Sequence, residues 1–174
     1  NSLIKLAEPF GFKLEDATLI NIHGGSIRTI FTEEEGAETS QRAKEILKQE
    51  KFHLSKNQLI DKLNQFSSSC KKLKNEISDL KNKNITIAAY GCPARFSTIT
   101  NYAGITKNDI PYVIDDSPLK QGRSSPGKHI PIRPFNKDNV DVYIVFAYEY
   151  IETIKKKINN PNTKFFKPIP FQEI

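Results

Sequence analysis

The chain has 174 residues and a formal net charge of +6, with a sequence pI near 9.2. That length suits one α/β core with an appendage and excludes two full nucleotide-binding domains. Its two cysteines, Cys70 and Cys92, form neither a disulfide framework nor a paired CxxC metal site, and no run approaches the ~18 consecutive apolar residues of a membrane span.

Many of the lysines fall between Arg42 and Lys83, interleaved with Glu45, Glu50, Asp61, Glu76 and Asp79. That mixture is the wet face of helices. No stacking aromatics punctuate it and no groove-reading motif appears, so neither a nucleic acid nor a membrane is an expected partner. A soluble cytoplasmic protein is expected. The sequence opens at Asn1 and contains no Met, so a further segment is expected upstream.

Residues Leu3 to Phe10 are helix-compatible and stop at Gly11, a residue that tolerates positive φ. LINIH and SIRTIF then flank Gly24 and Gly25 as a hairpin with a two-residue turn, which pairs His23 with Ser26, Ile22 with Ile27 and Asn21 with Arg28. Alternation puts Asn21, His23, Ser26 and Arg28 on a polar face, and Ile20, Ile22, Ile27 and Phe31 on an apolar one. A lone hairpin is marginal in water, so its sheet is expected to continue in the upstream segment.

Two helices follow, over about residues 39–51 and 55–83. Ser55 and Gln58 fit a capping box, with Leu54 and Leu59 as its hydrophobic staple. Leu59, Leu63, Phe66, Cys70, Leu73, Ile77 and Leu80 recur in steps of four and three. The seam suits a coiled-coil homodimer or a long helix lying on its own domain, and its length of about three heptads favours the latter.

The remainder alternates strand and helix: ITIAAY, a helix from Arg95 to Ala103 stopped by Gly104, PYVIDD, HIPI, VDVYIVFAY, a helix from Ile151 to Ile158, and FFKPIP. Strands separated by helices predict parallel pairing through right-handed crossovers. The expected fold is α/β, a Rossmann-like, mostly parallel sheet with flanking helices, preceded by a long helix and a β-hairpin.

Ligands of open parallel sheets bind beyond the carboxyl ends of the strands, which singles out residues 90–97 and 115–127. The first segment opens a helix, where free N–H groups attract anions and Arg95 adds charge, although GCPARF is not a dinucleotide fingerprint. In the second, Asp115 and Asp116 suit ribose hydroxyls, while Lys120, Arg123 and Lys128 suit phosphate. Each segment also reads as an ordinary turn. Cys92 reads as a small buried turn residue rather than a nucleophile, having no His or Asp partner that can be named. His53 and His129 lack metal spacing, so no metal site is expected.

HGGSIR, YGCPARFSTITNYAGI, YVIDDSPLKQGRSSPGKHIPI and VFAYEYIETI, in this order and spacing, resemble the C-terminal third of S-adenosylmethionine-dependent sugar C-methyltransferases. The resemblance implies a methyl-donor domain upstream, of which residues 1–36 are the end, a helical connector over 37–83 and a Rossmann-like domain over 84–174. It implies a nucleotide-diphosphate sugar held between the two domains, and S-adenosylmethionine bound by the parent enzyme largely outside this chain. The substrate-binding positions it implies are His23, Gly24, Ser26 and Arg28 in the first region. In the last they are Tyr90, Gly91, Arg95, Ser97 and Asn101, then Asp116, Lys120, Gln121 and Arg123. Cys92 stands where the family usually has Ala, Arg95 where Lys is common, and Phe96-Ser97 where Gly-Asn is frequent. The alternatives are a nicotinamide- or nucleotide-binding Rossmann-like oxidoreductase domain and a non-catalytic assembly module built on the heptad helix.

Overall fold

The computed structural model describes residues 1–22 and 25–174; the expected contacts His23 and Gly24 lie outside the described residues. Contacts divide the chain into two compact units, Asn1–Lys62 and Leu63–Ile174.

In the first unit, helix α1 (Ser2–Ala7) tightens into a 3-10 turn that ends at Gly11, φ +84°. Strands β1 (Lys13–Ile20) and β2 (Ser26–Thr32) pair antiparallel, but not in the expected register. Ile20 faces Ser26, Leu19 faces Ile27 and Thr18 faces Arg28, so Ile22 does not pair with Ile27 nor Asn21 with Arg28. Gly25 N–H and the Ser26 hydroxyl both donate to Ile22 O at 3.0 Å.

The reason for the shift lies at the far end of the hairpin. Leu14 and Ala17 are buried with Ala43 of α2 (Gln41–His53), and Ile4, Phe31, Ile46 and Leu47 pack against them. That contact selects the face. Ile20 consequently shares its side with Ser26 and Arg28 instead of with Ile27 and Phe31. A bulge between Leu14 and Asp16 frees Glu15 O to accept from Ser40 N–H at 2.8 Å. Ser40 in turn caps α2 through Ala43 N–H, and its hydroxyl donates to Asp16.

Helix α3 (Lys56–Asn82) begins where the Ser55 signal placed it, Ser55 Oγ accepting from Gln58 N–H at 3.5 Å. The staple is not packed: Leu54 and Leu59 are 53% and 42% exposed. Of the seam, Cys70, Leu73 and Ile77 are buried in the second unit's core with Phe66 and Leu80 beside them, whereas Leu63 is 66% exposed. The buried stretch lies on its own sheet.

That sheet has six strands in the order β5-β4-β3-β6-β7-β8: β3 (Ile87–Tyr90), β4 (Val113–Ile114), β5 (Ile132–Arg133), β6 (Val142–Val145), β7 (Lys164–Lys167) and β8 (Gln172–Glu173). All pair in parallel except β7 with β8. Alternation sends Ile87, Ala89, Val142 and Ile144 to a core with α3 and α4 (Ala94–Ala103). Ala88, Tyr90, Tyr143 and Val145 go to a second core with Ile154 of α5 (Ile151–Ile158). Helices cover both faces, which is why the central strands read as unbroken apolar runs. The fold is the expected mixed α/β sheet. Helix α4 ends as its sequence requires, with Gly104 at φ +65° and buried Ile105 donating back to Thr100 O at 2.9 Å. Among the described residues no helix is long and apolar enough to cross a membrane.

A crevice at the switch point of the sheet

The chain runs from β3 outward to β4 and β5 on one side, then returns to β6 and continues to β7 on the other. The strand order therefore reverses between β3 and β6, and this is where open parallel sheets leave a crevice beyond their carboxyl ends. A cavity of about 320 Å³ lies there, lined by Tyr90, Gly91 and Pro93 after β3, Asp115, Asp116 and Lys120 after β4, and Ala147, Tyr150, Thr153, Ile154 and Lys157 from β6 and α5.

Two ion pairs shape its wall. Asp115 is buried, its carboxylate accepting from Cys92 N–H at 2.8 Å, Ser117 N–H at 3.0 Å and Lys120 Nζ at 3.0 Å. Lys120 also donates to Cys92 O at 3.1 Å, so this pair ties the loop after β3 to the loop after β4. Burial works to raise the Asp115 carboxyl, but the Ser117, Cys92 and Lys120 donors outweigh it and hold it below the usual carboxylate range. Burial first and then the Asp115 charge push the Cys92 thiol up, the opposite of an activated nucleophile, in keeping with a structural turn residue.

The second pair is more open. Asp116 accepts from the Tyr90 hydroxyl at 3.1 and 3.2 Å and from Lys157 Nζ at 2.6 Å. Burial, followed by the Asp116 charge, raises the Tyr90 phenol well above its ordinary value. Its neutral hydroxyl is a donor to Asp116.

Of the sequence-predicted contacts, Tyr90, Gly91, Asp116 and Lys120 line this cavity. Gln121 braces it from behind, donating to Asp115 O at 2.9 Å. Arg95 is outside the lining, paired with Glu149 at 2.5 Å and lying 4.7 Å from the Tyr148 ring centroid. Asn101 is a clamp: its amide donates to Ser97 O at 2.7 Å and to Pro126 O at 3.0 Å, anchoring the loop before β5. Ser97 meets that clamp through its carbonyl. Arg123 is exposed, and its backbone pairs with Ile132. Ser26 and Arg28 stand in the first unit.

The sequence reading missed the α5 wall. Tyr150, Thr153, Ile154 and Lys157 recur at helical spacing directly after a strand, and the rule that pointed to the ends of β3 and β4 applies equally to β6.

Such a sheet, with its crevice at the reversal of strand order, defines a Rossmann-like α/β domain. The turn after β3 reads GCPARF and lacks the glycine pattern of a dinucleotide-binding turn. A family model described as C-methyltransferase C-terminal domain matches residues 21–170, and the chain belongs to that family. C-methyltransferase NovU of Streptomyces niveus is 26% identical over 183 aligned residues, covering 97% of this chain and 42% of that protein. The chain thus spans less than half of this curated relative.

Proposed function

We propose that the chain is the C-terminal, substrate-binding part of an S-adenosylmethionine-dependent C-methyltransferase acting on a nucleotide-linked keto-sugar. The observation that carries the reading is the braced crevice at the switch point, in a chain whose family is that of C-methyltransferase C-terminal domains. In such a reaction a base removes the proton from the carbon beside the carbonyl, and the resulting carbanion takes the sulfonium methyl. S-adenosylmethionine would supply that methyl from a site largely outside this chain, which spans 42% of C-methyltransferase NovU. No step is therefore assigned to the donor in this chain.

What this chain contributes is grip and orientation. The Asp115–Lys120 brace fixes the two loops before a ligand arrives, which lowers the cost of ordering them on binding. Tyr90, Asp116 and Lys157 then offer a hydroxyl, an acceptor and a cation toward one cavity with a largely apolar wall. A polar substrate is held on one side and shielded from water on the other.

Calorimetric titration of the full-length parent protein with a thymidine-diphosphate sugar tests the reading. Saturable heat is expected, and its absence removes the substrate class. An unchanged isotherm in Arg123→Ala would remove that arginine from the substrate contacts. NADH fluorescence should stay unchanged on adding the protein; enhancement would favour the oxidoreductase alternative instead.

A further inference from the structure

The two ion pairs of the crevice differ in what they leave free. Asp115 is 10% exposed and accepts three hydrogen bonds, and the Lys120 ammonium is divided between Asp115 and Cys92 O. That pair is spent on architecture. The Lys157 and Asp116 side chains are 39% and 55% exposed, and among the described residues the one hydrogen bond of the Lys157 ammonium is to Asp116. An ammonium has three N–H donors and an ionised carboxylate about four acceptor positions, so both groups keep capacity directed at solvent. The Lys157 ammonium stands over the Phe135 ring, Nζ 5.2 Å from its centroid, and its neighbours one turn back, Thr153 and Ile154, form the same wall.

A half-exposed pair of this kind is weakly held and readily exchanged. An incoming group that presents an anionic oxygen to the ammonium and a hydroxyl to the carboxylate would satisfy both partners at once. A sugar phosphate carries that combination. Resting on the function proposed above, we infer that Lys157 is the phosphoryl contact of the crevice, resting on Asp116 until the ligand's diphosphate replaces that carboxylate. Asp116 is released in the same exchange to accept from a ligand hydroxyl while keeping the Tyr90 hydrogen bond. The exposed Tyr150 ring, which also lines the cavity, supplies a flat apolar face for the base.

The test is calorimetry on the full-length parent protein with thymidine diphosphate and with thymidine, repeated at rising salt. In Lys157→Gln, thymidine diphosphate affinity is expected to fall about tenfold or more, the usual scale of one lost charge-assisted hydrogen bond, and the salt dependence to flatten. Thymidine affinity should be the same in both proteins, and Lys157→Arg should restore diphosphate binding with its salt dependence. A Lys157→Gln protein that binds thymidine diphosphate as tightly as the native one, with the same salt dependence, overturns this inference and leaves the function standing. A native protein that binds neither thymidine diphosphate nor a thymidine-diphosphate sugar overturns both.

Discussion

Gly91 and Ala147 meet at the floor of the crevice so closely that a Cβ on Gly91 would stand 2.5 Å from Ala147 Cβ and 2.9 Å from its backbone nitrogen. Gly91 also has φ +83°, a conformation that side chains disfavour, and its N–H donates to Ile114 O at 2.7 Å. The junction of β3, β4 and β6 thus depends on one residue having no side chain.

Gly91→Ala should destabilise the Leu63–Ile174 unit by about 2–4 kcal/mol, combining steric overlap with backbone strain. Adding Ala147→Gly should recover part of the loss, since the positive φ and the close backbone nitrogen remain. Denaturant unfolding followed by circular dichroism measures both; an unchanged midpoint in Gly91→Ala would mean the β6 loop moves away freely.

Asp115→Asn should loosen the loops after β3 and β4, because an amide nitrogen would face one of three N–H donors. The carboxyl is held below its ordinary value in the folded chain, so the stability it contributes is complete above the ordinary carboxylate range and is lost as pH falls through the folded value. Native protein should lose stability below about pH 4, and Asp115→Asn should show a shallower loss there. Equal slopes in acid unfolding curves would count against the brace.

In the first unit, Asp16 is pulled down to about 2 by the Arg42 guanidinium and the Ser40 hydroxyl. The sign is the same: the contribution is present above the ordinary value of 3.8 and disappears as pH drops toward about 2. Asp16→Asn should reduce the helicity of α2 at neutral pH and remove acid sensitivity from the Asn1–Lys62 unit across that window. Residue-resolved NMR titration of α2 amides is the measurement, and an Asp16→Asn protein whose α2 titrates like the native one refutes it.

Asn101→Ala should release the loop that its amide anchors at Pro126, at a cost of about 1–2 kcal/mol. Hydrogen exchange should accelerate at Ser125, His129 and Ile130, whose N–H groups are bonded inside that loop, while β3 and β6 keep their protection. Uniform acceleration across the sheet would indicate global rather than local loosening.

Several features were legible because local rules decide them. The Gly11 and Gly104 stops, the Ile151–Ile158 helix and the apolar runs ITIAAY and VDVYIVFAY follow from periodicity and backbone preference, and each holds in the structure. The hairpin register was not legible from Gly24 and Gly25. Strand register answers to what one face buries, and here Leu14 and Ala17 on Ala43, more than 20 residues later in sequence, set it.

By itself the sequence determined the order of strands and helices, the two loops that reach the mouth of the sheet, and the family resemblance carried by its ordered motifs. Only the tertiary structure decided how neighbouring acids divide their work, with Asp115 consumed by Cys92, Ser117 and Lys120, and Asp116 left open beside Tyr90 and Lys157. The physical reason is distance along the chain. Adjacent carboxylates are chemically alike, and their roles diverge only when folding brings Cys92, 23 residues away, to one of them and Lys157, 41 residues away, to the other.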